Sequence, residues 1–276
     1  MPDGCGLAIV AAMDAARFFS SGWIRFPYDA SVAEWAARAR PIAEACVADP
    51  VQRARWLRCG GTWFVGVNVF PNDAAGAVAE AGVPPLAGAP IDFVKNVLGL
   101  DVALDRAQVS VCWPGYPQPS AGESESAFRF RRDRDAAHVD GIRRHEGRRR
   151  RLGEAHGFIL GVPLTETAAE AAPLVVWEGS HEIIRRTLRA RLNDVPEERW
   201  IDEDITETYV AARRECFDAC RRVTVHARPG EAYLIHRLAL HGVAPWAAAD
   251  GGERMIAYFR PDPFPGHARR WWLERP

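Results

Sequence analysis

The chain carries no excess charge of either sign. Its 35 basic and 36 acidic residues leave a formal net charge of −1, so no global field draws it to nucleic acid or to an acidic membrane. It also lacks apolar runs of membrane length. The stretch Leu7–Met13 is too short to span a bilayer, and with Asp3 and Asp14 on either side and no basic leader it does not read as a signal peptide. The six cysteines, at 5, 46, 59, 112, 216 and 220, form no Cys-x-x-Cys and no framework spacing. That argues against a disulfide scaffold and leads us to expect reduced thiols in a cytoplasmic protein. Cys216 and Cys220 stand four apart on an expected helix; with no histidine pair beside them, packing is their expected role. There is no internal repeat, no long linker and, apart from one basic run, no low-complexity tract.

What is present is the composition of an ordinary globular protein, 48% hydrophobic and 26% charged. A length of 276 residues suits one domain spanning 1–276. The 10 Trp are many for this length and can build a large core or line an apolar pocket.

Residues from about 7 to 50 read as helical. Ala11–Phe19 has helical periodicity and stops near Ser20-Ser21-Gly22. Ser31-Val32-Ala33-Glu34 fits a capping box opening a second helix, kinked or broken at Pro41. Thr62–Phe70 is rich in β-formers and looks like the first strand, ended by Pro71-Asn72-Asp73; a short helical patch follows around Ile91–Leu98. From residue 107 the texture changes to short strands between turns: Gln108–Trp113, Ala136–Asp140, Gly157–Leu164, Leu174–Trp177, Arg222–Arg228, Ala232–His236, Ala239–Val243 and Arg254–Phe259. A helical insert, about 182–221, interrupts them with Glu182–Leu192 and roughly Ile205–Arg221. The pattern predicts a mainly β fold with flanking helices, a sandwich or barrel of which the jelly roll is one closed form.

Within this frame, Ala137-His138-Val139-Asp140-Gly141 is the first segment with chemistry. Successive side chains of a strand point to opposite faces, so on an extended segment His138 and Asp140 share a face with Cα atoms roughly 6–7 Å apart. Two histidines and one carboxylate form the facial ligand set of non-haem Fe(II) oxygenases. Taken alone the tripeptide reads as a polar-edged surface strand, since eight histidines and 36 acidic residues in 276 produce about one such match by chance. Two histidines, His236 and His241, compete for the remaining ligand position, each inside an apolar strand where a satisfied core role is the alternative. Arg254 lies 13 residues beyond His241 and opens the apolar run Met255–Phe259. A buried cation needs an anionic partner, and a guanidinium can grip a carboxylate through two parallel hydrogen bonds. A salt bridge to Glu253 or Asp250 is the plain alternative.

In their order these pieces resemble the phytanoyl-CoA dioxygenase family of Fe(II)/2-oxoglutarate oxygenases. The pieces are Ala-His138-Val-Asp140-Gly, Ala172-Pro-Leu-Val-Val-Trp-Glu-Gly179-Ser180-His181, Leu240-His241-Gly242 and Arg254. Ala15-Ala-Arg-Phe-Phe-Ser-Ser-Gly-Trp-Ile is similar to the family's N-terminal helix and following strand. The resemblance implies a double-stranded β-helix (jelly roll) with His138, Asp140 and His241 on Fe(II) and Arg254 on the distal carboxylate of 2-oxoglutarate. His241 is preferred over His236 because Gly242 follows it and its distance to Arg254 matches. His181 is a fold marker in this reading. The chain departs from the family at Val243, where members often have a hydroxyl residue, and the long polar stretch between Trp113 and Ala136 hides any further cosubstrate contact.

The implied activity is hydroxylation, or a related desaturation or cyclisation, of an unactivated C–H bond in a small molecule. It consumes O2 and 2-oxoglutarate and releases succinate and CO2. A carboxylate at Asp140 occupies the position a halide takes in related halogenases, so chlorination is not expected. Pocket walls are expected from 112–135 and 182–221, with Trp113, Tyr116, Trp177 and Arg260 as candidate substrate residues and a structural role as the alternative for each. The basic run Arg143–Arg151 reads as a solvated loop or as a patch that draws an anionic substrate, a carboxylate, phosphate or coenzyme A ester. No nucleic-acid fold surrounds it. Two competing functions are a cupin-like jelly-roll metal enzyme that does not use 2-oxoglutarate and a non-catalytic jelly-roll binding protein.

Overall fold

The computed structural model describes residues 4–249, 251–266 and 269–274, of which 4–11 by backbone alone. The strands are β1 (Trp23–Phe26), β2 (Leu57–Arg58), β3 (Trp63–Gly66), β4 (Gln108–Cys112), β5 (Ile142–Arg144), β6 (Arg150–Leu152), β7 (Phe158–Pro163), β8 (Leu174–Trp177), β9 (Arg222–Val225), β10 (Ala232–His236), β11 (His241–Val243) and β12 (Arg254–Phe259). The helices are α1 (Gly4–Ser21), α2 (Ala30–Ala48), α3 (Pro50–Trp56), α4 (Ala89–Asn96), α5 (Glu125–Asp133), α6 (Ser180–Leu192), α7 (Thr206–Ala219) and α8 (Trp271–Glu274). No described helix is long and apolar enough to cross a membrane.

A seven-stranded antiparallel sheet, in the order β1-β10-β7-β12-β4-β3-β2, faces a three-stranded sheet in the order β11-β8-β9. Strand alternation sorts the side chains into layers. On β12, Met255, Ala257 and Phe259 enter a core shared with Phe18 of α1, Trp35 of α2 and Phe93 of α4. Ile256 and Tyr258, on the opposite face, meet Leu174 and Val176 of β8 between the two sheets. The outer face of the small sheet, with Val175 and Trp177, packs on Ile184 and Leu188 of α6 and on Tyr209 of α7. The result is the mainly β jelly roll with flanking helices that the sequence predicts. Its seven-stranded sheet is wider than its partner, so part of the inner face of β3 is left only half-buried.

Several local expectations need correction. The cap of α2 is Asp29, whose Oδ1 accepts the Ser31 N–H at 2.8 Å while Oδ2 accepts the Ala89 N–H at 2.9 Å and ties α2 to α4. Ser31 is therefore inside the helix. Helix α2 also runs through Pro41 to Ala48: Pro41 and Ala37 both lie on the exposed face, where the carbonyl left without an N–H partner meets water. The strand expected over 62–70 ends at Gly66, because Val67 and Asn68 turn, with Asn68 at φ 57°. The first strand of the chain is β1, at the segment that follows the N-terminal helix. The basic run is a hairpin, β5–β6, in which Arg143 pairs with Glu154, and Arg149 with Asp204 at 2.9 Å.

Candidate metal centre

The segment 136–140 is not a strand. Asp135 and Ala136 have φ of 53° and 52°, so the chain is bent just before His138 and makes one isolated antiparallel bridge, His138 to His241. The bridge is reciprocal: the His138 N–H donates to the His241 carbonyl at 2.8 Å, and the His241 N–H donates to the His138 carbonyl at 3.0 Å. Directly paired residues present their side chains on one face, and the two imidazoles lie with centroids 4.6 Å apart. Gly242 makes the approach possible. A Cβ there would stand 2.1 Å from the Asp135 carbonyl oxygen, which explains physically why glycine follows the histidine. Asp135 is itself held in a fork by Arg222 at 2.7 and 2.8 Å, and the Val139 N–H donates to the Tyr209 hydroxyl at 3.0 Å.

Asp140, two residues on, completes the cluster. Its Oδ1 lies 3.2 Å from His138 Nε2 and 3.9 Å from His241 Nε2, and the three ligand atoms lie within 4.8 Å of one another. Ligands at neighbouring positions around an ion about 2.1 Å away stand about 3 Å apart; the His138–Asp140 pair already has that spacing, and a small inward movement of the imidazoles would let the set close on one cation. Both histidines are set in the right tautomer. His138 Nδ1 donates to the Ala136 carbonyl and His241 Nδ1 to the Ala239 carbonyl, each at 3.0 Å, which turns both Nε2 atoms toward Asp140 as the atoms available to a metal. Burial opposes charge on Asp140, but Arg260, then His138 and His241, hold its carboxyl well below the usual carboxylate range. Burial and then the neighbouring His138 push His241 down to about 4. Burial disfavours charge on His138 too, yet its hydrogen bond to Asp140 raises its pKa. The result is one ionised oxygen donor beside a neutral His241.

A cavity of about 180 Å³ opens from the cluster. Trp63 and Val65 on the inner face of β3 and Val67 in the turn that follows line one wall, all half-buried, and Gln108, Ser110, Tyr258 and Arg260 line another. The walls therefore come mainly from strands and not from 112–135 or 182–221 as expected. Of the four candidate substrate residues only Arg260 is at this cavity. Trp113 donates to Glu253 at 3.1 Å, Trp177 packs edge-on against Phe217 of α7, and Tyr116 is buried behind Trp63 with ring centroids 6.0 Å apart. His236 and His181 lie against each other outside the cluster, their rings tilted with centroids 4.7 Å apart, and His181 Nε2 pairs with the Phe19 carbonyl. Both are core residues.

Arg254 is 5% exposed and stands behind Tyr258 as seen from the cluster. Neither expected carboxylate serves it: Glu253 is engaged by Trp113, and Asp250 lies outside the described residues. Among the described residues its guanidinium meets neutral groups. Nη2 donates to the Tyr258 hydroxyl at 3.1 Å, and burial pushes the adjacent Cys112 thiol up to about 12. Nη1 is buried without a hydrogen-bond partner. The Tyr258 hydroxyl also accepts from Tyr233 at 2.8 Å, which leaves its own proton undonated. Gly161, between the two rings, has to be glycine, since a Cβ would fall 2.2 Å from Tyr233 Cε2. The group has a surplus of donors and one buried positive charge, so a carboxylate is the ligand that would satisfy it. The sequence reading missed Tyr258 and Tyr233. Tyr258 could have been found by alternation, since 254, 256, 258 and 260 share one face of β12.

No protein-family model and no curated protein matches the chain. Among solved structures it is similar to the non-haem α-ketoglutarate-dependent carbocyclase SnoK from nogalamycin biosynthesis. The identity is 12% over 90% of this chain and 83% of that one, with a TM-score of 0.52. It also matches the epimerase SnoN from the same biosynthesis (14% identity, 91% and 82% coverage, TM-score 0.47) and EctD from S. alaskensis with bound Fe (20%, 95% and 82%, TM-score 0.47). The likeness to SnoK establishes a shared jelly-roll fold.

Proposed function

We propose that this protein is an Fe(II)- and 2-oxoglutarate-dependent oxygenase that hydroxylates an unactivated C–H bond of a small molecule. The observation that carries the reading is the convergence of His138, Asp140 and His241 in one cavity whose wall is backed by a buried cation with no anionic partner among the described residues. His138 Nε2, His241 Nε2 and Asp140 Oδ1 would hold the iron on one face. When bound, iron with 2-oxoglutarate and O2 supplies the oxidising chemistry, with succinate and CO2 as co-products. The protein's own part is orientation. The Tyr258 hydroxyl and the charge of Arg254 behind it receive the distal carboxylate, while Trp63, Val65 and Val67 offer an apolar wall that keeps water from the reacting carbon. That wall favours a largely apolar substrate. Asp140 occupies the place a halide would need, which favours hydroxylation over chlorination.

The four ordered motifs support placement near the phytanoyl-CoA dioxygenases, and the cysteines outside any framework support a cytoplasmic setting; the five described ones are free. A cupin-like metal enzyme without 2-oxoglutarate, or a binding protein, would leave unexplained why Arg254 is buried with no carboxylate partner among the described residues. Anaerobic addition of Fe(II) and then 2-oxoglutarate should produce the weak visible charge-transfer band of the ternary complex. If iron binds and no band develops at saturating 2-oxoglutarate, the proposal fails.

A further inference from the structure

The two oxygens of Asp140 have different partners. Oδ1 faces both histidine Nε2 atoms, at 3.2 and 3.9 Å, whereas Oδ2 faces Arg260 Nη1 at 3.4 Å. Arg260 is unusually constrained for a residue just beyond the end of a strand. Its Nη2 donates to Gln108 Oε1 at 2.8 Å and its backbone N–H to Asp105 Oδ1 at 2.7 Å. Its carbonyl lies 2.8 Å from His156 Nδ1, and His156 Nε2 is 3.0 Å from Glu154 Oε2. Glu154 in turn pairs with Arg143. The guanidinium and both backbone groups are thus held from β4, from the loop that precedes it and from the segment after the β5–β6 hairpin. Nε is buried without a partner, and with Nη1 on Asp140 and Nη2 on Gln108 the guanidinium is turned toward the metal cluster, although the sequence offered Arg260 as a substrate residue.

We propose that Arg260 is a positioning residue: it retains Asp140 Oδ2 so that the carboxylate offers a single oxygen to the metal. A carboxylate free to turn could bind through both oxygens and occupy a position that a cosubstrate needs. A guanidinium fixed by Gln108 prevents that turn by a charge-assisted hydrogen bond. Outer partners of this kind commonly change metal affinity by a factor of roughly 10–100 when removed. The inference rests on the metal-site reading above.

The test uses Co(II) alone as probe, followed by its visible ligand-field spectrum, with circular dichroism as a check on folding. Wild-type protein should bind one Co(II); failure here overturns the metal reading and the inference with it. Given wild-type binding, Arg260→Gln should weaken Co(II) roughly tenfold and change the shape of the visible band, because the carboxylate changes its mode. Arg260→Lys keeps the charge without the fork and should recover only part of both. If Arg260→Gln is folded and retains wild-type affinity and spectrum, Arg260 does not position Asp140. Should Arg260→Gln not fold, Gln108→Leu, which frees only Nη2, should show the same spectral change in smaller measure, and an unaltered spectrum there overturns the proposal.

Discussion

Replacing Tyr258 with phenylalanine removes one oxygen from the cavity wall and leaves the ring. That oxygen accepts from Arg254 Nη2 at 3.1 Å and from the Tyr233 hydroxyl at 2.8 Å. Since Arg254 Nη1 is already unpartnered, the variant leaves a buried cation without either Nη contact. A buried hydrogen bond to a charged group contributes about 1.5–3 kcal/mol. At about 2–4 °C per kcal/mol for a chain of this size, the ligand-free Tm should fall by roughly 3–12 °C. The same oxygen is the donor offered to the distal carboxylate. Affinity for 2-oxoglutarate in the metal-loaded protein should therefore drop by a factor of roughly 10–100. Affinity for 2-oxobutyrate, which has no distal carboxylate, should stay close to wild type. Thermal denaturation and calorimetric titration of both acids measure these effects, and Tyr233→Phe closes a double-mutant cycle in which the pair should be non-additive. An unchanged Tm together with unchanged discrimination between the two acids would refute the donor-surplus argument.

Asp140→Ala should abolish stoichiometric Co(II) or Fe(II) binding while the far-ultraviolet circular dichroism stays that of the wild type; retained binding would move the centre elsewhere. Gly242→Ala forces a Cβ against the Asp135 carbonyl at 2.1 Å. It should part the His138–His241 bridge, and both Tm and metal affinity should fall; a variant with wild-type metal affinity would show that the close approach is dispensable. Burial pushes the Cys112 and Cys216 thiols up to about 12, and only the thiolate is nucleophilic. Both should stay protonated and unalkylated by iodoacetamide in the folded protein at about pH 8, while partly exposed Cys46 and Cys220 react first. Mass mapping that found Cys112 modified before unfolding would contradict the packing around Arg254.

The residues of the centre were legible in one dimension because their spacing is local. His138 and Asp140 are two apart, Gly242 adjoins His241, and Arg254 heads an alternating strand. The helical insert was legible for the same reason, since a 3.6-residue period is written into Glu182–Leu192. The pocket walls were not. Trp63, Val65 and Val67 look like any strand face, and only the unequal width of the two sheets leaves them half-buried beside the cluster.

Composition, periodicity and motif order by themselves determined the mainly β class, the two helical regions and the residue types able to bind a cation, because each depends on neighbours within a few positions. Tertiary structure alone decided that His138 and His241 form a bridged pair, since that requires a chain bent at Asp135 and a glycine where two backbones meet. It also decided that Arg254 stands behind Tyr258 and that Arg260 holds the back of Asp140. Cross-strand register and sheet curvature bring such groups together, and neither is encoded in the spacing of any one segment.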